Sequence, residues 1–266
     1  MTTTNGTVRG TIVEERFGHV VRLRFDSPAR RNPLSFSVAE DLVARFARLE
    51  ADEEVRAVIL TGTGPAFCVG GDQADFAQAL GKPMTELLDS YPPVELFRLA
   101  RSLHTPLIAA VNGTAMGGGM GLTCMAHIAI AADNATFGIP EVKLGIFPLT
   151  ILPLVRPVLG DRRTMELALT GRSLDAAEAL QLGVVQQVVP GEELQDQALE
   201  IAQRIATFSP LAVRLGITAF NDSTDMAFDN AMDHLNMVRA IAFSSEDLNE
   251  GSRAFLEKRA PVWKGR

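Results

Sequence analysis

The stretch PLIAAVNGTAMGGGMG, residues 106–121, decides how this chain is read. It opens on a short apolar run, Leu107 to Val111, and breaks at Asn112-Gly113. Three consecutive glycines, Gly117 to Gly119, then lead into helix-like residues from Gly119 to Met125, and a second apolar run follows from Ile128 to Ala131. Between Arg101 and Asp133 there is no Lys, Arg, Asp or Glu, so the segment must first be tested as a membrane span. It fails, because a span needs about 20 mainly apolar residues and this one is interrupted by Asn112, Thr114, the glycines, Thr123 and His127. Its order is strand, glycine turn, helix and strand, buried in a globular core.

Working outward, the same alternation repeats. Gly10 to Arg16 and His19 to Phe25 are β-rich runs flanking Phe17-Gly18, which predicts a hairpin. Phe36 to Leu49 carries Val38, Leu42, Val43, Phe46 and Leu49 at helical spacing and feeds the apolar run Val55 to Leu60. Val94 to Leu103 predicts a further helix. Strands alternating with helices argue for an α/β fold. Beyond Leu149 the pattern turns helical, with Met165 to Leu169, Ala176 to Leu180, Gln195 to Thr207, Pro210 to Phe220 and Met226 to Phe243 periodic, and only Val184 to Val189 extended. Gln73 to Pro93, with Gly81-Lys82-Pro83 and Pro92-Pro93, reads as a surface loop or lid.

Composition narrows the function classes. The chain has 266 residues, 47% of them hydrophobic, which fills a sizeable core and excludes a disordered chain. With 25 Lys+Arg against 32 Asp+Glu the net charge is −7, so nucleic-acid binding lacks its electrostatic basis. Cys68 and Cys124 stand in no CxxC or Cys/His spacing, which points away from a metal site and toward a reducing, cytoplasmic setting. The start, MTTTNGTVRG, has neither the basic nor the apolar region of a signal peptide and reads as a short tail.

Two glycine-bearing turns follow predicted strands, Gly64 to Asp72 and Asn112 to Gly121. Adjacent glycines let a ligand approach backbone N–H groups with no Cβ in the way, and such amides make oxyanion sites at helix N-termini. One such turn could serve packing alone; two in one chain favour a site. A dinucleotide site needs G-x-G-x-x-G, but Gly117 and Gly119 are followed by Leu122 where the third glycine belongs. No GxxxxGK[ST], GxSxG or HExxH occurs either.

Five ordered blocks, FCVGGD (67–72), PLIAAVNGTAMGGGMG (106–121), FGIPEVKLGIFP (137–148), LTGRSLDAAEALQLGVVQQVV (169–189) and FLEKRAPVWKG (255–265), resemble the successive signatures of the crotonase, or enoyl-CoA hydratase/isomerase, superfamily. The likeness runs nearly end to end. It implies an α/β crotonase-like spiral of ββα units with a helical C-terminal trimerisation region: residues 1–190 as the spiral core and 191–266 as the helical part of the same domain. It also implies an acyl-CoA thioester as substrate, a homotrimer or homohexamer, and no cofactor beyond the coenzyme A that the substrate carries. No nucleic-acid or membrane partner is expected.

By motif position the resemblance assigns the oxyanion donors to the N–H groups of Gly71 and Gly118, and the acid/base to Glu141. Ala29, Arg30, Gly71, Asp72, Gln73, Ala74 and Gly118 are implied as substrate-binding, with Lys258 of a neighbouring subunit as a phosphate partner. The principal departure is Gly121, which stands where hydratases of the family carry a second glutamate. One remaining carboxylate suits double-bond isomerisation, taking a proton from C2 of a 3-enoyl-CoA and returning it at C4. Hydration with a differently held water, decarboxylation, C–C cleavage, and a noncatalytic CoA-thioester-binding protein are the alternatives. Tyr91, Glu86, Asp89 and Glu95, in or beside the lid, are candidates to replace the missing acid or to hold a carboxylated substrate, and Gly121→Glu is expected to restore hydration if that acid alone is limiting. His127, where the family commonly has Asp, is expected to be structural.

Overall fold

The computed structural model describes residues 11–89 and 91–266. The expected N-terminal tail lies outside the described residues. Strands β1 (Ile12–Phe17) and β2 (Val20–Phe25) form the expected antiparallel hairpin, with its turn at Gly18-His19, one residue later than read, where Gly18 supplies φ +62°. Helix α1 (Phe36–Ala51) starts at Ser35, whose hydroxyl accepts the Val38 N–H at 3.3 Å, and buries Val38, Leu42, Phe46 and Leu49. It returns the chain to β3 (Ala57–Gly62), parallel to β2.

From β3 onward one unit repeats. β3 is followed by the short β4 (Ala66–Cys68) and helices α2 (Gln73–Ala79), α3 (Met84–Asp89) and α4 (Pro92–Arg98). β5 (Leu107–Val111) is followed by β6 (Thr114–Met116) and α5 (Gly118–Met125). β7 (Ile128–Ala132) is followed by β8 (Thr136–Gly138), α6 (Leu152–Leu159) and α7 (Asp161–Thr170). The leading strands join one sheet and the trailing strands another. With β9 (Ser173–Asp175), α8 (Ala176–Gln181) and β10 (Gln187–Val189), the larger sheet runs β1-β2-β3-β5-β7-β10 and the smaller β4-β6-β8-β9. Helices α9 (Leu194–Ala206), α10 (Pro210–Ser223), α11 (Phe228–Phe243) and α12 (Glu246–Glu257) complete the chain.

Period-two alternation explains why the central strands read as unbroken apolar runs. Along β5, Leu107, Ala109 and Val111 face the main core with Phe25, Phe67 and Phe137. Ile108 and Ala110 face the opposite side, which α9 covers with Leu194, Ala198 and Ala202. Both faces are buried, which is why Leu107–Val111 reads as an unbroken uncharged run. Among the described residues no helix is long and apolar enough to cross a membrane.

Three expectations need correction. Gln73 to Pro93 is helical rather than a loop: α2 and α3 are short helices separated at Leu80–Pro83, where Gly81 takes φ +77°, and Pro92 starts α4. The helix read over Val94 to Leu103 is α4 followed by a tighter 3-10 turn, Leu99–Arg101. Of the extended run Val184 to Val189, only Gln187–Val189 pairs as a strand.

Candidate active site

Two strand ends of the smaller sheet turn toward each other and are built alike. After β4 the chain passes through Gly70 (φ +89°) to Gly71; after β6 it passes through Gly117 (φ +52°) to Gly118. At both places a glycine in the left-handed region redirects the next residue's N–H. The turns touch backbone to backbone: a Cβ on Gly70 would lie 2.8 Å from the Met116 carbonyl oxygen and 3.3 Å from the Gly118 nitrogen. A Cβ on Gly119 would lie 2.0 Å from the Cys68 carbonyl oxygen, so α5 seats directly on β4. The Leu34 N–H donates to the Gly70 carbonyl at 2.8 Å and fixes the first turn.

The N–H of Gly118 opens α5 and, as a first-turn amide, has no intrahelical acceptor. Among the described residues no backbone carbonyl takes the Gly71 N–H. Both glycines line one cavity of about 110 Å³. Its remaining wall is largely apolar, with Leu34, Phe36, Phe76, Phe97, Phe147 and Ile151 prominent.

Glu141 enters this cavity from a 3-10 turn, Pro140–Leu144, that Pro140 starts and Gly145 (φ +81°) closes. Its Oε1 lies 2.9 Å from where a Cβ on Gly117 would be, so the carboxyl rests against the second glycine turn. Its Oε2 is buried and has no hydrogen-bond partner. Loss of water around the group pushes its pKa above the usual 4.5, against a smaller opposing hydrogen bond from its own backbone. Among the described residues that line the cavity it is the one carboxyl. Tyr91 lines the same space with its ring edge-on to Phe36 at 5.3 Å. Burial pushes the Tyr91 phenol up, and the Glu141 and Asp75 charges add to the shift.

The position of the departing residue, Gly121, is filled. A Cβ there would lie 2.6 Å from Ile151 Cγ2 and 3.0 Å from Phe97 Cε1. Phe97 and Ile151 are buried and line the cavity. A glutamate at 121 would therefore have to push Ile151 and Phe97 aside to reach the cavity. Sequence reading placed Phe97 on a helix but gave it no role, because only the fold brings α4 and the entry to α6 together over α5.

The other candidates divide. Gln73 lines the cavity. Ala29 and Ala74 are exposed and stand outside its wall. Asp72 is buried; it accepts the Ala74 N–H at 3.0 Å as the cap of α2 and pairs with the Arg30 guanidinium at 2.7 Å. It thereby joins the 3-10 turn Pro28–Arg30 to the first glycine turn. Asp72→Ala is expected to lower stability by about 1–3 kcal/mol, from a lost cap and a lost charge-assisted bond, read as a reduced urea midpoint. Lys258 is exposed, ends α12 with φ +55°, and is not on the cavity wall.

Of the acids considered as replacements, Glu86, Asp89 and Glu95 are exposed and none lines the cavity. His127 is structural as expected: its Nδ1 accepts the Leu107 N–H at 2.9 Å, and burial pushes the ring below its ordinary pKa. Cys68 and Cys124 are free thiols pushed up to about 12 by burial, which makes them poor nucleophiles.

A sequence model described as enoyl-CoA hydratase/isomerase matches residues 15–266. The chain belongs to the enoyl-CoA hydratase/isomerase family. Among relatives of this family, an enoyl-CoA hydratase of Mycobacterium tuberculosis is 36% identical over 258 residues, covering 95% of this chain and 96% of its own. The 2,3-dehydroadipyl-CoA hydratase of Escherichia coli is 32% identical over 257 residues, covering 96% and 99%. The crystal structure of an enoyl-CoA hydratase from Bacillus anthracis superposes with a TM-score of 0.90 at 32% identity, over 96% of this chain and 99% of that one. The mixed α/β architecture with its C-terminal helices is thus the crotonase fold, and the chain is an enzyme of the hydratase/isomerase family.

Proposed function

We propose that the enzyme isomerises the double bond of an enoyl-CoA, with the thioester oxygen between the Gly71 and Gly118 N–H groups and Glu141 as the sole acid/base. The observation that carries this reading is the single carboxyl in a cavity whose second acid position is occupied by Ile151 and Phe97. Removing a proton from C2 of a 3-enoyl-CoA drives charge onto the thioester oxygen, and each preorganised donor there is worth about 3 kcal/mol. Glu141 then returns the proton at C4, which leaves the double bond conjugated. A desolvated carboxyl with a raised pKa suits both transfers, since it takes and gives a proton near neutral pH. The reaction moves one proton and no net electrons, so the proposal includes no cofactor beyond the substrate's own coenzyme A.

In the same reading Arg30, held by Asp72, and the exposed residues Ala29, Gln73 and Ala74 border the path of the CoA moiety, with Lys258 contributed by a neighbouring chain. Oligomerisation fits the C-terminal helices: α11 buries no residue of its own, and Phe220, Phe228 and Phe243 are 74%, 78% and 64% exposed. We assign these faces to a homotrimer or a homohexamer built from two trimers.

Hydration is the second reading, supported by the names of the relatives and by the Tyr91 phenol on the same wall as Glu141, where it could hold a water. Incubation of 3-enoyl-CoA and 2-enoyl-CoA in D2O, followed by mass spectrometry, separates the two. Deuterium uptake with interconversion of the two isomers is the expected result. Addition of one water without isomerisation would replace isomerase by hydratase.

A further inference from the structure

The cavity beside Glu141 is walled on its buried side by two side chains that take up the space of any side chain at position 121. Ile151 is 3% exposed and Phe97 7%. They come from separate elements, the entry to α6 and α4, so the wall is held from two directions. The rest of the described lining carries no basic side chain, neither Lys, Arg nor His, and Glu141 is the only carboxyl. The Tyr91 and Thr150 hydroxyls and the Gln73 amide can meet a neutral polar atom, but they cannot neutralise a carboxylate. The space amounts to about 110 Å³. A cavity of about 150 Å³ holds the six carbons of a benzene ring, so this smaller one suits an acyl group of about four carbons.

From these observations we infer that the protein selects compact, uncharged acyl groups, and that Phe97 and Ile151 are the residues that set the size limit. The inference rests on the reading of the site as an acyl-CoA pocket and adds its substrate class. An acyl group with a terminal carboxylate would bury that charge without a cationic partner and beside Glu141, whose own carboxyl is already desolvated. A longer neutral chain running toward position 121 meets a buried aromatic ring and a β-branched side chain, and overpacking of this kind is resisted.

The test separates binding from chemistry by using saturated thioesters, which cannot isomerise. Butanoyl-, hexanoyl-, decanoyl- and adipoyl-CoA are titrated calorimetrically into wild type, Ile151→Ala and Phe97→Leu, with free CoA as reference. In wild type, butanoyl-CoA is expected to bind at least about tenfold more tightly than decanoyl-CoA, and hexanoyl-CoA about 100-fold more tightly than adipoyl-CoA, which differs from it by the terminal carboxylate. Ile151→Ala is expected to reduce the butanoyl/decanoyl ratio about tenfold and leave the discrimination against adipoyl-CoA intact. If Ile151→Ala does not fold, Ile151→Val and Phe97→Leu are read for the same ratio.

Equal wild-type affinities across the series would overturn the selection, and a ratio unchanged in every folded variant would overturn the role of Phe97 and Ile151. If no thioester bound more tightly than free CoA, the acyl-pocket reading itself would fall with the inference. The expected order of affinities without any deuterium exchange would sustain the inference and remove only the assigned reaction.

Discussion

Glu141→Gln is expected to reduce isomerisation by about 10⁴-fold, the upper end of what general acid–base catalysis supplies, because no second carboxyl among the described lining residues can share the proton. The substitution is nearly isosteric, so the loss should fall on kcat with little change in KM. Stability should move the other way. Burial raises the folded-state pKa of Glu141 above its unfolded value, so ionisation of this group opposes folding. That penalty is absent below about pH 4.5, grows as pH rises through the folded-state pKa, and is fully present above it. Gln carries no such charge. The melting temperature of Glu141→Gln should therefore equal or exceed that of wild type at pH 8, with the difference closing toward pH 4.5. The pH profile of wild-type kcat/KM supplies a second check: its acid limb should lie above pH 4.5, since the base must be ionised to act. A variant that keeps wild-type deuterium exchange would remove Glu141 from the chemistry altogether.

How much of this was legible beforehand depended on whether the signal was local. The large sheet was readable because β3, β5 and β7 are buried on both faces and so appear as uninterrupted apolar runs. The smaller sheet was not, because β4, β6, β8 and β9 are three residues each and β4 and β6 sit inside the glycine stretches read as turns. Gly71, Gly118 and Glu141 were placed together by resemblance, and the fold puts them on one cavity. Asp72 was read as a substrate contact; its capping of α2 is local, while its pairing with Arg30 is a tertiary fact. The same holds for the packing of Phe97 and Ile151 over Gly121. An absent glutamate is visible in a sequence; what fills its place is not.

Gly121→Glu is the second large effect, and it is expected on stability rather than as a gain of function. Even Gly121→Ala brings a Cβ to 2.6 Å from Ile151 Cγ2, and overpacking of this kind costs about 1–3 kcal/mol. The helix-propensity gain of Ala over Gly, about 0.5–1 kcal/mol, is smaller. Glutamate adds several more heavy atoms and a carboxyl among apolar side chains, so the variant should show a sharply reduced urea midpoint or fail to accumulate in soluble form, and it should not add water to 2-enoyl-CoA. The packing argument is isolated by a double-mutant cycle. Gly121→Ala in an Ile151→Ala background should be less damaging than in wild type, with a coupling of about 0.5–3 kcal/mol. Additive effects would show that the contact yields freely. A folded Gly121→Glu enzyme with hydratase activity would show that the missing acid, and not the wall built over its place, determines which reaction this protein performs.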